Sequence, residues 1–209
     1  MRSPARMTSR QVKNVAHPRP RTQPGGRPKP VACRMTRDEL ARAIYDASHL
    51  TGTFTLRSGA VSHEYFDKYL FEADPALLAA IGDALASLVP EGTEALAGLE
   101  TGGIPLAVIL AQKTGLHALF VRKEAKTYGT AKLAEGGDVQ GRRLLVVEDV
   151  VTSGGQLALS TKDLRDRGAI VEHAVCVIDR EAGGREALAD IGVTLSPLFT
   201  MSELRAAAT

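Results

Sequence analysis

The chain has 209 residues, which suits one domain with a core large enough to be stable unaided. Its two cysteines, Cys33 and Cys176, have no ligand-like spacing and suggest no disulfide framework, so a reducing cytoplasm is the expected setting. No apolar stretch reaches transmembrane length, and we expect no signal peptide. These features exclude a membrane-spanning protein and a disulfide-rich secreted scaffold.

The formal net charge of +2 hides an uneven distribution of charge. Residues 1–34 contain nine Arg or Lys and no acid, which leaves 17 basic and 24 acidic residues, a net of −7, from Met35 onward. The first 34 residues are also rich in Pro and show no apolar period, so we expect a disordered tail, 1–34, and a folded domain, 35–209. The tail is open to several interpretations: a solvated extension, a sequence that begins upstream of a true start at Met35, or a tether for a polyanion. A transit peptide is a further interpretation, but the prolines would break the amphipathic helix that it requires.

The first predicted elements lie before residue 90. Thr36 and Glu39 form a capping box that predicts an amphipathic helix. Residues 54–72 alternate apolar and polar positions between turn residues, which predicts one or two short strands and a loop. Asp74 and Pro75 are a typical cap and first-turn proline, and they predict a second helix.

From residue 95 onward, predicted strands alternate with predicted helices. The order is strand 95–99, helix 104–114, strand 117–122, loop 123–141, strand 144–147, helix 157–167, strand 170–178, helix 185–191 and strand 193–199. This alternation predicts an α/β domain whose parallel sheet is covered by helices on both faces. Ligands of such sheets bind at the carboxyl ends of the strands.

Residues 144–156, LLVVEDVVTSGGQ, place two acids and a small-residue loop between a buried strand and a helix. Backbone N–H groups of such a loop, at a helix N-terminus, attract an anion. Glu148 and Asp149 would repel that anion but suit hydroxyl groups or a hydrated cation beside it. A phosphate next to a diol describes a sugar phosphate. The structural alternative is a buried strand that ends in a solvated acidic loop.

This string resembles the signature of type I phosphoribosyltransferases, which bind 5-phosphoribosyl 1-diphosphate (PRPP). The RKEAK run at residues 122–126 resembles the catalytic loop of orotate phosphoribosyltransferases, and DREAGG at 179–184 resembles their DRxxGG motif. FTLRSG at 54–59 and ETGGIPLA at 100–107 also resemble segments of that family. The resemblance extends over nearly all of the predicted domain.

The resemblance implies the type I phosphoribosyltransferase fold: a mostly parallel central sheet, helices on both faces, a small N-terminal hood and a long mobile loop. It implies a pentosyltransferase of pyrimidine (UMP) biosynthesis, which transfers ribose 5-phosphate from PRPP to orotate and forms orotidine 5′-monophosphate and diphosphate. Mg²⁺ would be held through the diphosphate, with no direct protein ligand. A homodimer would complete each site with Lys123 of the partner loop. No membrane or nucleic-acid partner is implied.

The resemblance also implies roles for individual residues. Lys126, Glu148 and Asp149 would be catalytic, the two acids through hydroxyl contacts and through negative charge near an oxocarbenium-like carbon. Orotate would contact Thr152 and Arg180, whose planar guanidinium matches a carboxylate. PRPP would be bound by a larger set of residues: Arg122, Lys123, Lys126, Glu148, Asp149, Val150, Val151, Thr152, Ser153, Gly154, Gly155 and Gln156.

Some features leave alternatives open. Tyr128, Arg57 and Gly102 stand where family members carry a His, a Lys and, in some members, a phosphate-binding Lys. Residues 65–68, YFDK, flank the pyrimidine or form an aromatic core patch, and Arg180 binds orotate or forms a surface salt bridge with the adjacent Glu181. Two other functions remain: a purine phosphoribosyltransferase, or a non-enzymatic nucleotide-sensing regulator.

Overall fold

Seven helices and eight strands form the part of the chain that the computed structural model describes, residues 35–55, 59–124 and 133–209. The elements are α1 (Arg37–Ser48), β1 (His49–Thr55), β2 (Val61–Phe66), α2 (Lys68–Ala73), α3 (Pro75–Ala86), β3 (Ala95–Leu99), α4 (Gly103–Thr114), β4 (His117–Val121), β5 (Ala134–Glu135), β6 (Arg143–Val151), α5 (Gly155–Arg165), β7 (Ile170–Asp179), α6 (Gly184–Ala189), β8 (Thr194–Thr200) and α7 (Met201–Ala208). The basic tail, Arg57, Lys126 and Tyr128 lie outside the described residues.

The central sheet has six strands in the order β5-β4-β3-β6-β7-β8. Five of them are parallel, and the two-residue β5 pairs antiparallel with the edge of β4. The predicted α/β class with a mostly parallel sheet is confirmed. The chain runs outward from β3 to β4 in one direction and from β6 to β8 in the other. This reversal between β3 and β6 opens a crevice at their carboxyl ends, which is where such sheets bind ligands.

Helices cover both faces of this sheet. Successive side chains of a strand alternate between faces, so Leu145 and Val147 of β6 pack in one buried cluster, with α1, α3, α4 and α7. Leu144 and Val146 pack in the other cluster, with α5 and α6. Within the described ranges, no helix has the length and apolar character needed to cross a bilayer.

The N-terminal hood differs from the sequence prediction in one element. The capping box of Thr36 and Glu39 begins α1 as predicted, and β1 pairs antiparallel with β2. The prediction of one or two strands and a loop for residues 54–72 did not include the short helix α2, whose N-cap Asp67 accepts a hydrogen bond from the Tyr69 amide at 3.1 Å. Six residues are too few to display a helical apolar period, which is why the pattern did not reveal α2.

The signature strand is longer than predicted. β6 continues to Val151, and its last residues pair with Ile178 and Asp179 of β7. The expected end at Val147 was wrong, because two consecutive carboxylates resemble the start of a solvated loop. Glu148 and Asp149 therefore lie within the sheet, and the rigid ladder of β6 fixes their backbone positions.

Candidate active site

The loop between β6 and α5 has the geometry of an anion site. Gly154 precedes α5 with φ 74°, a left-handed conformation that favours glycine. No side chain caps this helix, so the N–H groups of its first turn are left for another acceptor. Thr152 and Ser153 are exposed beside them and add hydroxyl donors. The loop can therefore bind a phosphate through amides and hydroxyls together.

A second glycine turn packs directly against this loop. A Cβ atom on Gly184 would lie 2.6 Å from the carbonyl oxygen of Thr152 and 2.6 Å from Cγ1 of Val151. The Arg180 amide donates to the carbonyl oxygen of Val151 at 2.8 Å. The second glycine of the DREAGG string is therefore needed for close packing, and the string places Arg180 at the edge of the anion site.

The Arg180 side chain lines a cavity of about 310 Å³ between the hood and the sheet. Tyr65 and Phe66 of β2 form part of its wall. The alternative salt bridge with Glu181 is not formed, because the Glu181 carboxylate accepts hydrogen bonds from the amide and hydroxyl of Ser202 at 2.9 and 2.6 Å. Among the described residues, Arg180 has no ion-pair partner. Its guanidinium is thus available to a ligand in the cavity.

Asp149 is the buried charge of the site. Its side chain is 0% exposed, and Oδ2 lies 2.5 Å from Nζ of Lys68, the first residue of α2. Its Oδ1 accepts a hydrogen bond from the Val150 amide at 2.5 Å, and its own amide donates to Glu148 Oε1 at 3.0 Å. Burial opposes ionisation, but hydrogen bonds from Glu148 and Lys68 hold the pKa of Asp149 below its ordinary value.

Two carboxyl groups beside Asp149 behave in the opposite way. Burial, together with hydrogen bonding to Asp149 and its negative charge, raises the pKa of Glu148 to about 9. Burial and the charge of Asp149 raise the pKa of Glu72, on α2, to about 8. The arrangement therefore favours the ionised form of Asp149 and the protonated forms of Glu148 and Glu72. This differs from the expectation that both members of the acidic pair carry negative charge.

The loop after β3 runs against the same carboxylate. A Cβ atom on Gly102 would collide with Oδ2 of Asp149 and lie 2.8 Å from Oε1 of Glu72. No side chain fits at position 102 while Asp149 keeps this position, so the phosphate-binding Lys of some family members has no room here.

The predicted cationic loop begins at the carboxyl end of β4, two strands from β6. Nε of Arg122 lies 3.6 Å from Oε1 of Glu135, so a carboxylate neutralises this cation in the ligand-free protein. The Lys123 amide donates to Oε1 of Glu100 at 2.6 Å, and the Lys123 side chain is exposed. These contacts fix the backbone where the loop begins.

The structure brings most of the predicted site residues to one end of the sheet. The acidic pair and residues 150–156 follow one another along β6 and its loop, and Arg180 follows β7. Lys126 lies outside the described residues. Sequence reasoning missed Lys68 and Glu72 as partners of Asp149. The YFDK string at 65–68 marked the region, but nothing in the pattern linked it to residue 149.

No protein cage for a metal is evident in the described part of the chain. Within it, no group of three or more His, Cys, Asp or Glu side chains is arranged to hold a metal ion. Asp149, the most buried acid, is already engaged by Lys68 and the Val150 amide. The expected Mg²⁺, held through the diphosphate, stays a prediction.

Comparison with known proteins agrees with this geometry. The family model for the phosphoribosyl transferase domain matches residues 71–201. An orotate phosphoribosyltransferase of Nocardioides sp. is 52% identical over 83% of this chain and 97% of its own, and one of Methanocella arvoryzae is 48% identical over 73% and 87%. This chain also resembles a solved structure, that of Mycobacterium tuberculosis H37Rv orotate phosphoribosyltransferase in complex with 5-phospho-α-D-ribosyl 1-diphosphate. The TM-score is 0.70 and the sequence identity is 28%, over 81% of this chain and 98% of that one. The chain belongs to the phosphoribosyltransferase family and, within it, to the orotate phosphoribosyltransferases.

Substituting Gly102 by Ala tests the packing against Asp149. The added methyl group must displace the carboxylate, so kcat/KM for phosphoribosyl transfer should fall by roughly a hundredfold, the scale of losing one oriented transition-state contact. Steady-state kinetics and a thermal melt of the same preparation measure this. A folded variant with wild-type kcat/KM would show that Asp149 does not need its present position.

The stability of the ligand-free protein should fall as the pH rises. Glu72 holds its proton up to about pH 8 in the folded state, but its ordinary pKa is 4.5, so the folded state binds more protons between these values. The free energy of unfolding therefore decreases with pH across that window. Glu72→Gln should flatten the slope of Tm against pH there, whereas the exposed control Glu172→Gln should keep it. An unchanged slope in Glu72→Gln would contradict the raised pKa.

Proposed function

We propose that this protein transfers the 5-phosphoribosyl group of PRPP to orotate, releasing diphosphate and forming orotidine 5′-monophosphate. One observation supports this proposal most directly. The anion loop before α5, the buried acid Asp149 and the unpaired guanidinium of Arg180 lie at the same end of the sheet. The names of the relatives and the PRPP complex of the M. tuberculosis enzyme support the same activity. Formation of orotidine 5′-monophosphate from orotate, in a panel with uracil, adenine, guanine and xanthine, tests the choice of base.

The 5′-phosphate is assigned to the loop before α5. The uncapped N–H groups at the start of α5 and the hydroxyls of the exposed Thr152 and Ser153 are the donors for this phosphate. A phosphate at this helix N-terminus is stabilised by the helix dipole as well as by the amides. Residues 150–156 would thus anchor one end of PRPP, and the fixed end of β6 would set how far the ribose extends toward the sheet.

The ribose hydroxyls are assigned to Glu148 and Asp149. An ionised Asp149 accepts a hydrogen bond from one hydroxyl, and its charge lies on the side where the ring carbon becomes electron-deficient. A fixed charge in a site that excludes water stabilises a developing cation more than the same charge in solution. The raised pKa of Glu148 favours its protonated form, which can donate to one hydroxyl oxygen, so the two acids complement each other.

Orotate is assigned to the cavity that Arg180 lines. The guanidinium presents parallel N–H donors that match a carboxylate, and Tyr65 and Phe66 add aromatic side chains to the wall beside a planar base. A purine base has no carboxylate for Arg180, which favours orotate over the purine alternative. Thr152, in the anion loop, stays a predicted contact of both substrates.

The diphosphate is assigned to the cationic loop, with Mg²⁺. Arg122 would exchange its Glu135 contact for diphosphate oxygens, and Lys126 would stabilise the leaving group. Mg²⁺, when bound, neutralises diphosphate charge. The exposed Lys123 side chain is consistent with a contact across a homodimer. The test is to mix Lys123→Ala subunits with subunits that are inactive at Asp149. Restored activity would support the contact between subunits. The cytoplasm remains the expected compartment.

Lys126→Ala should lower kcat by about a hundredfold or more, because an oriented cation near the departing diphosphate is lost. The control is Lys162→Ala, which removes an exposed helical ion pair with Asp166 and should leave kcat unchanged. Equal turnover of Lys126→Ala and wild type would remove the loop from the mechanism.

Arg180→Ala should mainly raise the KM for orotate, since a bidentate carboxylate contact is removed from the ground state and transition state alike. The KM for PRPP should change little. The control Arg185→Ala removes the neighbouring guanidinium, whose Nε lies 3.7 Å from Oδ2 of Asp179, and should spare the KM for orotate. A defect confined to PRPP in Arg180→Ala would assign this residue to the other substrate.

A further inference from the structure

Lys68 has an unusual position for a lysine on a short helix. It is the first residue of α2, and a cation there gains nothing from the helix dipole, which favours negative charge at this end. Its side chain is 33% exposed, whereas the Asp149 side chain that it contacts is 0% exposed. The ammonium therefore reaches from the rim of the crevice to a carboxylate beneath it. The helix dipole therefore does not account for a lysine at position 68, whereas its contact with Asp149 does.

The groups that surround Asp149 show why a cation is needed. Glu148 adjoins it on β6, Glu72 and Lys68 face it from α2, and Asp67 precedes that helix. The backbone at Gly102 approaches the carboxylate without adding charge, and the buried thiol of Cys176 on β7 lies near the same acids. Without Lys68, the acids would share this pocket with no cation among the described residues. Like charges in a pocket of low dielectric take up protons, so Asp149 would lose its ionised form.

We propose that Lys68 is a positioning residue for phosphoribosyl transfer: its ammonium fixes the place of the Asp149 carboxylate, the acid that we assign to the ribose hydroxyls. The contact between Nζ and Oδ2 leaves Oδ1 on the Val150 amide, so the carboxylate is held from both sides. The absence of a side chain at Gly102 makes room for this arrangement. Lys68 raises the reactivity of the site through Asp149, and this inference rests on the proposed function.

The pKa values of the cluster agree with the geometry. The pKa of Lys68 is raised, because the contact with Asp149 outweighs the burial that would lower it. The pKa of Asp149 is lowered, while those of Glu148 and Glu72 are raised. The hydrogen bond from Glu148 and the contact with Lys68 thus act together to favour ionisation of Asp149. Removing Lys68 should raise the pKa of Asp149, so the variant should lose activity toward acid pH where the wild type does not.

The experiment compares Lys68→Met, Lys68→Arg and Lys113→Met in the full chain. Lys113 is the matched control, since its Nζ lies 2.6 Å from Oδ1 of Asp83, its side chain is 30% exposed, and its partner is on the surface. The measurement is kcat and KM for PRPP against pH at saturating orotate, with a thermal melt of each protein. Lys68→Met should lower kcat/KM for PRPP by about tenfold or more and shift the acid limb of the pH profile upward by roughly one pH unit. Lys68→Arg and Lys113→Met should keep the acid limb of the wild type.

A double-mutant cycle separates positioning from folding. In an Asp149→Asn background, Lys68→Met should cost little further activity, because the group through which Lys68 acts is already gone. If Lys68→Met fails to fold, Lys68→Gln is used, with the same expected shift. A folded, uncharged variant with the wild-type acid limb would overturn the inference. Wild-type protein that forms no orotidine 5′-monophosphate would instead overturn the proposed function, which separates the two failures.

Discussion

The burial of one carboxylate, Asp149, is the constraint on which the rest of the site depends. A buried negative charge is costly unless it is paired and hydrogen-bonded. The chain meets this requirement from three directions: the backbone of β6, the neighbouring Glu148, and Lys68 and Glu72 of α2. Residue 102 is a glycine, and any Cβ atom there would collide with Asp149. The position of α2 and the course of the loop after β3 follow from this one group.

The topology of the sheet explains why these parts meet. The reversal of direction between β3 and β6 places two loops side by side at the carboxyl ends, one before α4 and one before α5. Glycines allow close backbone packing at this end of the sheet: a Cβ atom on Gly103, at the start of α4, would collide with the carbonyl oxygen of Val147 on β6, and one on Gly184 would lie 2.6 Å from the carbonyl oxygen of Thr152. The glycines of the recognisable strings are thus explained by backbone packing as much as by ligand contact.

The alternation of strands and helices after residue 95 was predictable because each element there carries its own apolar pattern and its own turn residues. Elements without such a pattern were missed. The helix α2 has only six residues, and α7 lies beyond the last predicted strand, although Thr200 and Glu203 form a capping box that could have revealed it. The end of β6 was placed too early because acids are rare in a buried strand.

The sequence by itself determined the anion loop, the acidic pair and Arg180, since each lies in a short string whose conformation depends mainly on adjacent residues. Tertiary structure alone decided which groups surround Asp149, because Lys68 and Asp149 are joined only by the packing of the hood on the sheet. It also decided the charge of the acids. Protonation depends on burial and on neighbouring charges, which are properties of the assembled fold and not of any local string.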